Sequence, residues 1–330
     1  MHSTINIKLK NTLIIRVVGI KRRIIRHGPS TLIISLPSNW AKRNQLKKGD
    51  ELNLKDEGRK LVVETYGTPL KYSYEQNISE LNGDLVKELL ARVYEKGFDT
   101  VFLVHNNPII LDDIREKTSE LIGYEIIEQN ERSCIIQSIA SIVKLDFEES
   151  LRKSFSIVKS TLEKCFECYK NSDFLSLKNL HLKNAEINRF CYFALRQLNR
   201  EKYMTVGNSH SLHKIINLIA ELGLNCKNLS LALSGLKGKN DALIGLMNLE
   251  ALQFNNVYTY FYRPTIESAN ESYRAFQGVE SEFYELLKEG DHENCISACL
   301  IYKISQLLSN LVGMRLDLVQ EELKQNIDFL

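Results

Sequence analysis

From Asp146 onward this chain carries no strand-like alternation. Apolar and polar residues instead recur at helical period through six segments, about 148–170, 173–201, 209–234, 240–256, 264–289 and 291–327. Breakers separate them at Asn171-Ser172-Asp173, Gly207-Asn208-Ser209, Gly235–Lys239, Arg263-Pro264 and Gly290-Asp291, with Asp173 and Ser209 placed as N-caps. Long helices joined by short connections are expected to pack antiparallel as a bundle. The aromatic run Val257–Tyr262 suits either bundle packing or a partner surface. Upstream of this seam the pattern is different, with short extended segments mixed with a few helices. A chain of 330 residues with such a change of period is expected to form more than one domain. The division reads as 1–67, 68–145 and 146–330.

In the middle part, Pro69 and the polar stretch around Tyr72–Ser79 read as a connector. Asn82–Lys96 follows as a helix, with Leu85, Leu89, Leu90 and Val93 at helical spacing. Phe98–Val104 reads as a buried strand and Leu111–Leu121 as a second helix. Tyr124–Ile127 and Cys134–Ile139 read as strands around a turn at Gln129–Arg132. The order αβαββ predicts a small α/β layer. It holds no phosphate-binding glycine loop, and His105 with Asn106-Asn107-Pro108 reads as a structural loop.

The first 60 residues stand apart by charge. They hold 14 Lys+Arg against 4 Asp+Glu, whereas the whole chain has a net charge of only +2. A basic head on a mildly acidic body points to a polyanion contact at that end. Within it, Arg22–Arg26 and Thr31–Leu36 read as strands around the turn His27-Gly28-Pro29-Ser30. Ser38 follows Pro37 as the expected N-cap of a helix through Trp40 and Lys42. Lys48-Gly49-Asp50 turns the chain, and Glu51–Leu54 pairs with Lys60–Glu64 around Asp56-Glu57-Gly58. Strands this short cannot bury a core alone, so a second copy is expected to cover them.

The run Arg22–Asp50, with its RRIIRHG strand, its STLIISLP strand leading into an NW helix start, and its LKKGD turn, resembles the AbrB/MazE-type (SpoVT-AbrB) swapped-hairpin DNA-binding domain in its archaeal version. The resemblance implies a small β-barrel built from the interleaved hairpins of two chains. It also implies that Lys21, Arg22, Arg23, Arg26, His27, Lys42 and Arg43 meet DNA. Guanidinium and ammonium groups neutralise phosphates, and the Arg fork can also address base edges. Ile24, Ile33, Leu36 and Trp40 are then expected in the dimer core.

The helical part resembles the PhoU family of phosphate-uptake regulators. Asn184-Ala185-Glu186-Ile187-Asn188-Arg189, running on through Phe190–Leu198, is similar to the family's first acidic helix motif, and Glu221-Leu222-Gly223-Leu224-Asn225 to its second. The resemblance implies a surface site for a divalent or ferric ion, with Glu186 and Glu221 as its metal-ligating residues here. Asn184, Asn188 and Asn225 stand where the family has Asp. An amide offers a carbonyl oxygen but no charge, which weakens any hard-cation site.

The expected architecture is therefore multidomain: a swapped-hairpin β-barrel head, a small α/β layer and an all-α PhoU-like helix bundle. The expected function is that of a cytoplasmic, homodimeric, sequence-specific transcriptional regulator of phosphate uptake whose helical body senses an effector or partner. The alternative is an adaptor that does not bind DNA, dimerises through the head and engages a phosphate transporter subunit or a sensor kinase. No nucleophile–base arrangement suggests an enzyme. Seven scattered cysteines, among them Cys165/Cys168 and Cys295/Cys299, do not form a secreted disulfide framework and read as free thiols. Leu13–Ile20 is broken by Arg16 and followed by Lys21-Arg22-Arg23, which does not read as a signal peptide. No uninterrupted apolar run reaches the ~18 residues of a membrane span, so a protein that does not cross the membrane is expected.

Overall fold

The computed structural model describes residues 21–56, 61–65, 72–139, 146–200, 208–288 and 292–327. The run Leu13–Ile20 and most of the turn at Asp56-Glu57-Gly58 lie outside these residues. So do the expected boundary at residue 67 and the breakers at Gly207 and Gly290-Asp291. The chain divides into two compact units, Met1–Pro69 and Leu70–Leu330.

The first unit contains two hairpins and a short helix. β1 (Ile25–His27) pairs antiparallel with β2 (Thr31–Ile33) in the register Ile25↔Ile33, Arg26↔Leu32, His27↔Thr31. The turn between them is closed by Gly28 at φ 75, a left-handed conformation that favours glycine. α1 (Ser38–Arg43) follows, capped by Pro37 rather than by the expected Ser38, with the Pro37 carbonyl accepting from the Trp40 and Ala41 amides at 3.0 Å. Gly49, at φ 97, turns the chain into β3 (Leu52–Asp56), which pairs with β4 (Leu61–Thr65). The expected barrel is corrected here. β1–β2 and β3–β4 are separate two-stranded sheets, and no sheet closes. Closure needs a continuous ladder around tilted strands. Three-residue strands that share no ladder with the second hairpin among the described residues do not provide one.

The second unit begins with a four-stranded sheet. It comprises β5 (Ser73–Asn77), β6 (Thr100–Val104), β7 (Tyr124–Gln129) and β8 (Ser133–Ser138), in the spatial order β5-β6-β8-β7. β5 runs parallel to β6, and the other pairs are antiparallel. α2 (Gly83–Glu95) connects β5 to β6, and α3 (Ile110–Glu120) connects β6 to β7. Asn82 caps α2 by accepting from the Leu85 amide at 2.9 Å. The stretch expected as a connector is thus a strand, and the order is βαβαββ. Helix residues Val86, Leu90, Tyr94 and Ile114 pack on Val101, Leu103, Cys134 and Ile136 of one sheet face. Leu85, expected on the buried stripe, is exposed instead.

A large all-helical region follows. Its helices are α4 (Phe147–Lys170), α5 (Phe174–Asn179), α6 (Lys183–Arg200), α7 (Asn208–Ser234), α8 (Asp241–Tyr262), α9 (Ile266–Lys288) and α10 (His292–Ile327). The segment expected as one helix over 173–201 breaks at a 3-10 turn, Leu180–Leu182. Val257–Tyr262 is the end of α8, with Val257, Tyr260 and Phe261 in the core and Phe261 edge-on to Phe155 at 5.4 Å. The Asn294–Gln320 part of α10 is long and apolar enough to cross a membrane, with a mean hydropathy of 1.4. Half of its most apolar stretch, however, is buried inside the protein.

α6 belongs to both cores of this unit. Ile187, Cys191, Ala194 and Leu195 face the helical core, while Phe190, Tyr192 and Phe193 pack against the α/β layer. Its last turns grip the C-terminal end of α2. Arg196 donates to the carbonyls of Tyr94 at 2.9 Å and Phe98 at 2.8 Å, and its guanidinium lies 4.8 Å from the ring centre of Tyr94 and 5.1 Å from that of Tyr124. Asn199 donates to the Glu95 carbonyl, and Arg200 to that of Gly97. Cations at a helix C-terminus complement its orphan carbonyls and its dipole. Asp99 completes the joint. One oxygen meets Arg200 and Arg196, and the other accepts from the Tyr72 amide at 3.0 Å.

Candidate nucleic-acid interface

The basic residues of the head are presented on open surface. Lys21, Arg22 and Arg23 lead into β1, Arg26 and His27 lie within it, and Lys42 is in the last turn of α1; all six are exposed. Arg43 ends α1, and its side chain lies outside the described residues. Arg26 is the one member of the set with an internal tie among the described residues, its Nη2 donating to the Pro29 carbonyl at 2.8 Å. That bond holds its guanidinium at the β1–β2 turn. Lys21, Arg22, Arg23 and Lys42 have no ion-pair partner among the described residues. Charges left unneutralised in this way set up a positive field at the surface and can displace the counterions of a polyanion. The structure brings residues 21–27 together along one hairpin, whereas Lys42 comes from α1.

The same unit exposes its large apolar side chains. Ile25 is 54% and Leu32 67% exposed, and Ile24, Ile33, Ile34, Leu54 and Leu61 are exposed as well. No described residue of the first unit is buried. Because paired residues share a face, Ile25 and Ile33 stand on one side of the hairpin with His27, while Leu32 stands on the other beside Arg26. Of the residues expected in a core, Ile24, Ile33 and Leu36 are exposed, and Trp40 is half-buried. Burying one such side chain is worth about 1.5–3 kcal/mol.

In the helical region the two motif stretches do meet. Gly223 of α7 lies so close to α6 that an added Cβ would stand 2.9 Å from Ile187 Cγ2 and 3.2 Å from Asn184 Oδ1. The carboxylates do not meet. Glu186 accepts from Lys183 at 2.8 Å, and Glu221 pairs with Lys303 of α10 at 3.2 Å. Lys164 shares a shallow groove with Glu186. Asn225 turns inward and donates to the Glu221 carbonyl at 2.8 Å. Lysines already neutralise both acids, and no group of three or more His, Cys, Asp or Glu converges among the described residues. This donor set does not fit a hard cation.

Cys134, Cys165, Cys168, Cys191 and Cys226 are buried, and burial raises their thiol pKa values, so they behave as apolar filler. Cys295 is half-buried and Cys299 exposed on α10. His105, at the end of β6, is 2% exposed, and neither ring nitrogen has a hydrogen-bond partner. Sequence reasoning missed the Arg196–Arg200–Asp99 joint, for which an Arg-x3-Arg spacing on one helix face was the available signal.

The model of one protein family, described as antidote-toxin recognition MazE, a bacterial antitoxin, matches residues 25–71. No curated protein and no solved structure matches the chain. Over residues 25–71 the chain therefore carries a MazE/AbrB-like domain, consistent in general with a DNA-binding regulatory role.

Proposed function

We propose that this protein is a sequence-specific transcription regulator that binds double-stranded DNA as a homodimer through its first unit. The observation that carries the reading is the head itself: unpaired cations leading into a hairpin and on the helix after it, within a MazE/AbrB-like domain, beside apolar side chains that no described residue of the same unit buries. A second copy covers those apolar residues and doubles the basic surface. Two half-sites on one duplex then match the two heads. The helical region serves as the body through which an effector or partner adjusts the heads. Phosphate uptake is the pathway assigned, on the resemblance of 184–198 and 221–225 alone. No catalytic role is assigned.

Fluorescence anisotropy of a labelled duplex at several salt concentrations tests this reading. Affinity should fall steeply with salt, and the slope should shrink by about 1 for each phosphate contact removed. The triple variant R22A/R23A/R26A should lose both affinity and slope while keeping the wild-type melting curve. Binding of the triple variant as tight as wild type would remove these residues from the interface.

A further inference from the structure

Among the described residues, the sheet of the second unit is covered on one side only. Its other face, set by the register, presents Ser73, Thr100, Gln137 and Glu125 in one row across the strands, and Glu75, Phe102, Ile135 and Glu128 in the next. Asn77, Val104 and Ser133 make the third. Here Phe102, Val104 and Ile135 are only half-buried, and the three carboxylates are exposed.

The chemistry of this face has a clear layout. The two central strands carry its apolar residues and the two outer strands its acids. No Lys or Arg occurs in any of the four strands. Glu75, Glu125 and Glu128 are not ion-paired among the described residues. The helices of this unit, by contrast, pair their charges repeatedly, as in Lys153–Glu149 and Lys159–Glu163. Three apolar side chains, Phe102, Val104 and Ile135, lie between one unneutralised acid on β5, Glu75, and two on β7, Glu125 and Glu128, a layout that matches an occupant with an apolar stripe flanked by cations.

Dimensions select its form. Strand spacing puts Glu75 and Glu128 about 14 Å apart across the row. A helix with its side chains is about 10–12 Å wide, so it fills the channel and reaches both margins. The strands extend about 16 Å, the length of roughly three helical turns. We infer that this face is the docking surface for an amphipathic helix of another protein, with Leu- or Ile-type residues facing Phe102 and Ile135 and Lys or Arg flanking them. The inference is independent of the DNA-binding reading, since none of these residues belongs to the head.

The test uses the full chain and two amidated, labelled peptides of about 15 residues, each long enough for about four turns. One places Leu at helical spacing between two Lys flanks, and the other replaces every Lys by Glu. Wild type should bind the Lys peptide, weaken at high salt, and bind the Glu peptide at least tenfold less well. The variant E75K/E128K, altered at two exposed positions, should reverse that preference with an unchanged melting curve. Should the Lys peptide bind this variant as tightly as wild type, it sits elsewhere on the protein. Should neither peptide bind wild type, the face takes no helix of this chemistry. Either result overturns the proposal.

Discussion

Glu250 is a carboxylic acid in the core of the helical region, fully buried and without a hydrogen bond to either oxygen. The Ser305 hydroxyl lies beside it but donates to Gln253 Oε1, while Gln253 Nε2 donates to the Ser305 carbonyl at 3.0 Å. Burial holds the Glu250 pKa well above the usual carboxylate range. The sign of the linkage follows. Above the unfolded pKa of about 4.3 the unfolded chain ionises first, so the native state binds more protons and stability falls as pH rises. The variant E250Q should be more stable than wild type at pH 8, by about 1–3 kcal/mol, and nearly equal to it at pH 4. Urea melts at the two pH values measure this, and an equal difference at both would refute the assignment. Nothing in the sequence around Glu250 distinguished it from the solvated acids. Its burial depends on which side of α8 meets α10, and that is a property of the assembled helices.

At the scale of elements, α6 and α7 touch through a glycine. Gly223 sits against Ile187 at a distance a methyl group could occupy only if Ile187 moved. G223A should destabilise by about 1–3 kcal/mol through overpacking. I187V, which trims the opposing side chain, should recover part of that loss. Thermal melts of the four members of this double-mutant cycle would show the coupling, and strictly additive effects would mean that the two do not collide. Helix positions were legible in the sequence because the 3.6-residue period and the Asp173 cap are local signals. β5 was not. Ser-Tyr-Glu-Gln-Asn is polar at most positions and becomes a strand because β6 supplies a ladder and Asp99 holds the Tyr72 peptide on both sides. The break of 173–201 at Leu180–Leu182 was hidden because a 3-10 turn of three residues shifts the apolar stripe by only a fraction of a turn.

For the whole molecule, the two units differ in how they are stabilised. The second contains two hydrophobic cores joined through α6, while no described residue of the first is buried. Residues 70–330 expressed alone should therefore melt cooperatively at a midpoint that does not change with concentration. On the proposed dimer, in which a second copy covers Ile25, Leu32 and their neighbours, residues 1–69 alone should gain structure as concentration rises. Circular dichroism over a dilution series would decide, and a head that stays folded at nanomolar concentration would sink the dimer. The basic head, the change of period at Asp146 and the helical character of the described residues after it were readable from residue order, since charge and periodicity are carried by neighbours in the chain. The barrel expected from the head's resemblance did not survive, because closure depends on a ladder running from one hairpin to the other, and among the described residues the two hairpins form separate sheets. The pairing of Glu186 and Glu221 with lysines, the burial of Glu250 and the uncovered acidic face of the sheet were likewise decided by packing. Each depends on which residues from distant parts of the chain come to lie side by side, and no local pattern records that.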